Sequence, residues 1–259
     1  MSAGIVVLLT STIAPKAGMS ARIRRSDAAV RLSDYAIGLR FWLELRADWL
    51  AGIVFADNSG HSLRNLEKVA DSRGREGRPV EFLSFDDAGP PEGLHYGHSE
   101  FKVVRDAVGA SRLIAGARHV IKATGRYTFP DIPRLIARLP GDFKVAVDSR
   151  RVRPFTRHSH MLTQFALAIF EPSFFRDFLW DIPERMVPAP PWNRSQFVET
   201  VLYDRLIPRL GEPGVILRWP CNCEPRGVGS NGDSYSSGRM RVQAALRALC
   251  RVAAPGIWI

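Results

Sequence analysis

The chain of 259 residues contains only three cysteines, Cys221, Cys223 and Cys250. They are too few and too unevenly spaced for a disulfide framework or a complete zinc site, which points to a reducing compartment. No stretch approaches the ~20 consecutive apolar residues of a membrane-spanning helix, so any membrane contact would be peripheral. The N-terminal run GIVVLLTSTIA (4–14) has no basic lead and is interrupted by hydroxyl residues, so it reads as a first buried strand rather than a secretory signal. A GxSxG elbow, a Walker A loop, a GxGxxG opening a helix and an HExxH pair are all missing, which removes the commonest hydrolases, NTPases, dehydrogenases and zinc proteases. Acidic residues are also scarce: 26 Asp and Glu face 36 Lys and Arg, a net charge of +10. That balance favours anionic partners, whether nucleic acid, acidic lipid headgroups or the phosphates of a nucleotide-linked substrate. The arginines are dispersed, with local clusters at ARIRR (21–25) and SRRVR (149–153) and no basic tail, which weighs against nucleic acid.

With 46% hydrophobic and 24% charged residues, the composition is that of a globular protein with a substantial core. Apolar runs alternate with amphipathic ones. Residues 4–12, 51–60, 79–85 and 118–127 read as strands, and 32–49, 61–74 and 99–117 as helices, the last opened by Ser99 as N-cap. This alternation predicts a single α/β domain with a mainly parallel sheet flanked by helices. The second half is less regular: a strand at 143–153, an apolar aromatic run at 163–180, a Pro-rich connection at 186–193, a helix at 194–210, a short strand at 215–220, a Gly/Ser-rich loop at 224–238 and a last amphipathic helix at 239–253.

Ligands of such sheets bind beyond the carboxyl ends of the strands, so the polar residues there are the candidates. Thr10 to Thr12, DNSG (Asp57, Asn58, Ser59, Gly60), Asp86 and Asp87, and KATGRY (Lys122, Thr124, Gly125, Arg126, Tyr127) all fall at such ends. DNSG suits a ribose or an anion, and equally an ordinary turn. Asp86 and Asp87 read as a divalent-metal pair or, more simply, as a polar turn, because no second carboxylate stands two positions after the first. His95, His98 and Glu100 are titratable groups at a helix start and read as proton-transfer or as cap residues. HSH (158–160) and the CNC of 221–223 lack further ligands for a metal. KATGRY and DSRR (148–151) each set fixed positive charge at a strand end, where arginine's planar fork suits phosphate and Gly125 lets backbone approach a ligand. The loop GVGSNGDSYSSG (227–238) offers flexible backbone and hydroxyls.

The ordered series TST (10–12), RRSD (24–27), RFWL (40–43), FADNSG (55–60), FLSFD (82–86), GHSE (97–100), KATGRY (122–127) and RGVGSNGDSY (226–235) resembles bacterial and viral glycosyltransferase-like proteins of surface polysaccharide synthesis, variants of the nucleotide-sugar-binding GT-A fold. The resemblance implies a cytoplasmic enzyme, at the inner face of the membrane if membrane-associated, that moves a sugar from a nucleotide-activated donor to a hydroxyl of a glycan or lipid-linked acceptor. It implies a nucleotide-binding half (1–150) and an acceptor-side half (151–259). Thr10, Ser11, Asp57 and Asn58 would line the nucleotide pocket; Lys122, Arg126 and Arg150 would hold the phosphates; Tyr127 would meet the sugar, with Ser230 and Tyr235 closing the site. Glu100, Asp148 or Glu199 would be the catalytic base. The family's Mn²⁺ or Mg²⁺ ion lacks its Asp-x-Asp motif here, so the fixed cations stand as the alternative to a metal. A rival reading is a non-catalytic polyanion-binding protein with its arginines in an exposed stripe, whose affinity would fall steeply with salt.

Overall fold

A computed structural model describes residues 4–16, 23–72, 78–152, 159–188, 196–230, 232–254 and 256–259. Ala21, Arg22, Arg153, His158 and Asn231, with most of the Pro-rich connection, lie outside the described residues, so parts of the ARIRR, SRRVR, HSH and Gly/Ser readings do too.

Seven strands form one sheet in the order β3-β2-β1-β4-β8-β5-β9. These are β1 (Ile5–Ser11), β2 (Leu50–Asp57), β3 (Val80–Ser84), β4 (His119–Thr124), β5 (Val145–Ala146), β8 (Leu167–Phe170) and β9 (Val215–Ile216). β1 to β4 are mutually parallel, and β8 runs antiparallel to β4 and to β5. β6 (Ser149–Val152) and β7 (His160–Thr163) make a separate antiparallel ribbon. The expected α/β domain with a mainly parallel sheet is what the chain builds, and the second half completes that sheet through β5, β8 and β9.

Alternation along the strands sends side chains to two apolar layers. Val6 and Leu8 of β1, Val54 and Ala56 of β2 and Val120 of β4 face one layer. Val7, Leu9, Ile53, Phe55, Ile121 and Ala123 face the other. A strand covered on both faces reads as a continuous apolar run, as 5–9 does. Helix α1 (Ala28–Glu44) closes one side, burying Arg31, Tyr35, Leu39 and Trp42, one stripe at helical spacing. Its start is set by Asp27, whose carboxylate accepts from the Val30 N–H, so it begins four residues earlier than the apolar pattern suggested. Helix α2 (Arg64–Ser72) packs beside it, and α3 (Gly97–Ala110) covers the opposite layer.

Two boundaries differ from expectation for clear reasons. Ser99 is not a cap: it lies inside α3, fully buried, with Tyr96 at the cap position. The working cap is Ser111, where α3 ends and whose hydroxyl accepts from the Ile114 N–H to start a short helix over 112–115. The expected strand 143–153 divides between β5 and β6, with Asp148 in the break. Helices α4 (Val198–Leu206) and α5 (Gly238–Ala253) complete the longer elements. Among the described residues no helix is long and apolar enough to cross a membrane.

Candidate active site

The parallel register decides which polar side chains meet. Thr10 pairs with Thr124 across β1 and β4, and strand period places Thr10, Lys122 and Thr124 on the face that α3 covers. Glu100, in the first turn of α3, receives them all: Oε1 accepts from Lys122 Nζ at 2.6 Å, Thr124 Oγ1 at 2.7 Å and Thr10 Oγ1 at 3.3 Å. Lys122 is wholly buried, donates also to the Phe165 carbonyl and lies 4.1 Å from the Phe165 ring centroid. Burial works against the Glu100 carboxylate, yet the Lys122 ammonium and the hydrogen bonds from Lys122 and Thr124 outweigh it and hold its pKa below the ordinary value. Burial lowers the Lys122 pKa, with Glu100 opposing. Lys122 therefore positions a carboxylate from inside the core rather than meeting phosphate, a correction to the sequence reading.

Above this pair opens a small cleft of about 40 Å³, lined by Thr10, Ser11, Tyr96, Glu100, Thr124 and Ser230 together with two arginines, Arg31 and Arg126. Both guanidinium groups belong to buried residues, and among the described residues neither has a carboxylate within 4.0 Å. Arg31 donates to the carbonyls of Thr12 (2.7 Å) and Arg25 (3.1 Å) and to the Tyr35 hydroxyl (2.9 Å). Arg126 donates through one nitrogen to Ser230 Oγ (2.6 Å) and the Tyr127 hydroxyl (3.0 Å), and its Nε is buried with no acceptor. A buried cation without a counter-ion is costly, so the arrangement suits an anion that arrives from outside. Glu199, half-buried on α4, completes the local electrostatics: burial pushes its carboxyl up to about 7, with Glu100 adding to the rise and Lys122 opposing it.

No protein-family model matches the chain, and no curated protein does. Among solved structures it is similar to 4-diphosphocytidyl-2C-methyl-D-erythritol synthase from Anaerococcus prevotii DSM 20548, at TM-score 0.45 and 9% identity over 94% of this chain and 96% of that one. It is similar also to the inositol-1-phosphate CTP transferase from T. maritima, at TM-score 0.43 and 11% identity over 83% of each chain. A third is the mannosyltransferase Ktr4p from S. cerevisiae, at TM-score 0.43 and 9% identity over 71% of this chain and 60% of that one. Likeness this faint assigns no role to any residue.

Several predicted site residues lie elsewhere. Asp57 has no exposed surface: its oxygens accept from Ser11 Oγ (2.7 Å), the Ile13 and Ser59 N–H groups (both 2.8 Å) and Ser59 Oγ (2.5 Å). Asn58 is buried between Thr12 Oγ1 and the Ser99 carbonyl, and Gly60 makes the turn at φ +69°. The DNSG segment thus underlies the cleft instead of lining it. Asp148 is held by Arg251 at 2.6 Å, and Arg150 by Glu224 at 2.9 Å. Neither lines the cleft. Tyr127 is buried beneath Arg126, and Tyr235, edge-on to it at 5.1 Å, lines a second, wider cleft beside α5 with Glu224, Arg226 and Arg247. Gly125 is required by packing: an added Cβ would stand 3.0 Å from the Thr10 carbonyl and 3.3 Å from the Tyr35 ring. Gly38 is tighter still, its Cβ falling 1.9 Å from the Gly125 carbonyl oxygen. Asp86 pairs with Lys16 at the surface, and Asp87 with Lys102.

Arg31, Tyr35 and Tyr96 were missed by the sequence reading. Arg31 had a signal: with Tyr35, Gly38 and Trp42 it occupies the apolar stripe of α1, where a charge needs a reason.

Proposed function

We propose that the protein is a transferase that holds the phosphates of a nucleotide-activated sugar in this cleft and passes the sugar to an acceptor hydroxyl. The observation that carries this reading is the pair of buried arginines, Arg31 and Arg126, without carboxylate partners at the carboxyl end of a parallel sheet. Guanidinium forks in a low-dielectric cleft bind phosphate oxygens far more strongly than in water, and such a cleft, unlike a convex basic stripe, matches a small anion rather than a polymer.

In the reaction, the acceptor oxygen bonds to the anomeric carbon while the bond from that carbon to the phosphate oxygen breaks. The negative charge on the departing phosphate falls to Arg126 and Arg31. We assign the proton from the acceptor hydroxyl to Glu199, which stands outside the cleft lining but close enough to Glu100 and Lys122 to feel both charges, and burial pushes its carboxyl up to about 7. Glu100, tied to Lys122 and two threonines, is the weaker base and serves to orient a hydroxyl. A hydroxyl acceptor needs such a base, whereas nucleotidyl transfer to a phosphate monoester does not, because its nucleophilic oxygen carries no proton. A divalent cation does not fit the carboxylates present: Glu100 is bound by Lys122 and Asp57 is saturated by four donors, and among the described residues no group of three His, Cys, Asp or Glu is gathered for a metal. The arginines stand in its place.

Incubation with a panel of nucleotide sugars and acceptor glycans should release nucleotide from one donor, and Arg126→Ala should abolish the release. Release of pyrophosphate from a nucleoside triphosphate would replace the reading with nucleotidyl transfer, and no binding of any nucleotide at millimolar concentration would end it.

A further inference from the structure

We propose that helix α5 (Gly238–Ala253) docks the protein onto a membrane surface rich in anionic lipid. None of its sixteen residues is buried. Val242, Leu246, Leu249 and Val252 are 61%, 48%, 61% and 85% exposed, and their spacing of four, three and three puts them on one face. Scattered exposed apolar residues, such as Ile37 on α1, are ordinary; a continuous stripe along a helix marks an interface. The opposite face is tied down by polar contacts. Arg251 reaches Asp148 (2.6 Å), Asn222 (2.7 Å) and the Trp219 carbonyl (2.7 Å), Arg247 reaches Glu224 (3.2 Å), and Asn222 donates to the Ala244 carbonyl (2.6 Å). The apolar face is therefore held outward by construction.

Charge selects the occupant. The helix carries four arginines and no Asp or Glu. Arg239 and Arg241 are exposed and flank the apolar stripe, and among the described residues no carboxylate pairs with them. Both stand in the first turn, where the helix dipole disfavours cations and favours anions. A second copy of the chain would set this helix against one with no acidic residue, and each copy carries +10. Headgroup phosphates supply the missing negative charge while the acyl boundary takes the stripe, which is the physics of an interfacial amphipathic helix.

Vesicle flotation of the whole chain tests this. The protein should float with phosphatidylcholine vesicles containing phosphatidylglycerol and stay behind with phosphatidylcholine alone, and the binding should weaken as salt rises. Leu246→Gln with Leu249→Gln should lower binding at least tenfold, and Arg239→Gln with Arg241→Gln by about fivefold per arginine. All four positions are exposed, so circular dichroism and melting temperature should match the parent, and nucleotide binding without vesicles should be unchanged. Failure of the parent to float, or equal floating of the leucine variant, overturns the proposal. So does a dimer in sedimentation velocity that the leucine variant abolishes while vesicles are ignored.

Discussion

The ends of β2 and β4 flank the end of β1 on either side, and in sequence they look equally polar: DNSG on one, KATGRY on the other. Their hydrogen bonds separate them. At β2, Asp57 takes four donors, Asn58 bridges Thr12 and Ser99, and Ser59 accepts from the Ala14 N–H, so the segment is consumed in holding β1 and its following loop. At β4, Lys122 is likewise consumed by Glu100, but Arg126, four residues on, has only two hydroxyls for its charge and a buried Nε with nothing to bond. A polar strand end is scaffold where donors and acceptors balance, and a candidate site where buried donors remain in excess.

Substitutions can break that contrast. The largest effect belongs to Lys122→Met, which leaves the Glu100 carboxylate facing the core without its cation. Breaking a buried pair costs about 3–5 kcal/mol, and because a quarter of the Glu100 side chain remains exposed the lower end, about 3 kcal/mol, is expected in urea unfolding. Arg126→Ala should do the reverse: affinity for a nucleoside diphosphate by calorimetry falls about 100-fold, while the melting temperature holds or rises because an unpaired buried charge has gone. Asp57→Asn should cost about 1–3 kcal/mol of stability, since an amide cannot accept at every point the carboxylate did, and nucleotide affinity should stay as it was. If Asp57→Asn weakened nucleotide binding as much as Arg126→Ala, the two strand ends would not differ in kind.

Much of this was legible in the residues. The alternation of apolar and amphipathic segments is a local property, and it located β1 to β4 and the helices between them. Lys122 and Arg126 stood out as charges at a strand end. What period two adds is the direction of Lys122: it shares the parity of Val120 and so enters the layer under α3, whereas Arg126, beyond the end of β4, is free to turn toward the cleft. Arg31 is hidden in the sequence because the apolar periodicity begins at 32, just past a charge that lies on the buried stripe. The partners Glu224 and Arg251, which take Arg150 and Asp148 out of the cleft, are 74 and 103 residues away from them, a pairing that no local pattern carries.

The smallest effect is the most specific to the proposed chemistry. The Glu199 carboxyl is raised from 4.5 to about 7, by burial first and by Glu100 second, so the folded protein holds a proton there that the unfolded chain releases above about pH 4.5. The stability linked to that proton is complete below about pH 4.5 and is lost as pH rises through about 7. Glu199→Gln should accordingly match the parent near pH 4 and exceed it by about 1–2 kcal/mol near pH 8.5, a figure reduced from 1.36 kcal/mol per unit because the side chain is only half-buried. Activity should move the opposite way. A base must be deprotonated to act, so kcat/KM of the parent should rise as pH passes about 7, and the variant should lose roughly 100-fold and the pH dependence with it. A variant that gained stability at high pH yet kept the rising profile would leave Glu199 as a buried acid of the scaffold, on the side of Asp57 rather than of Arg126.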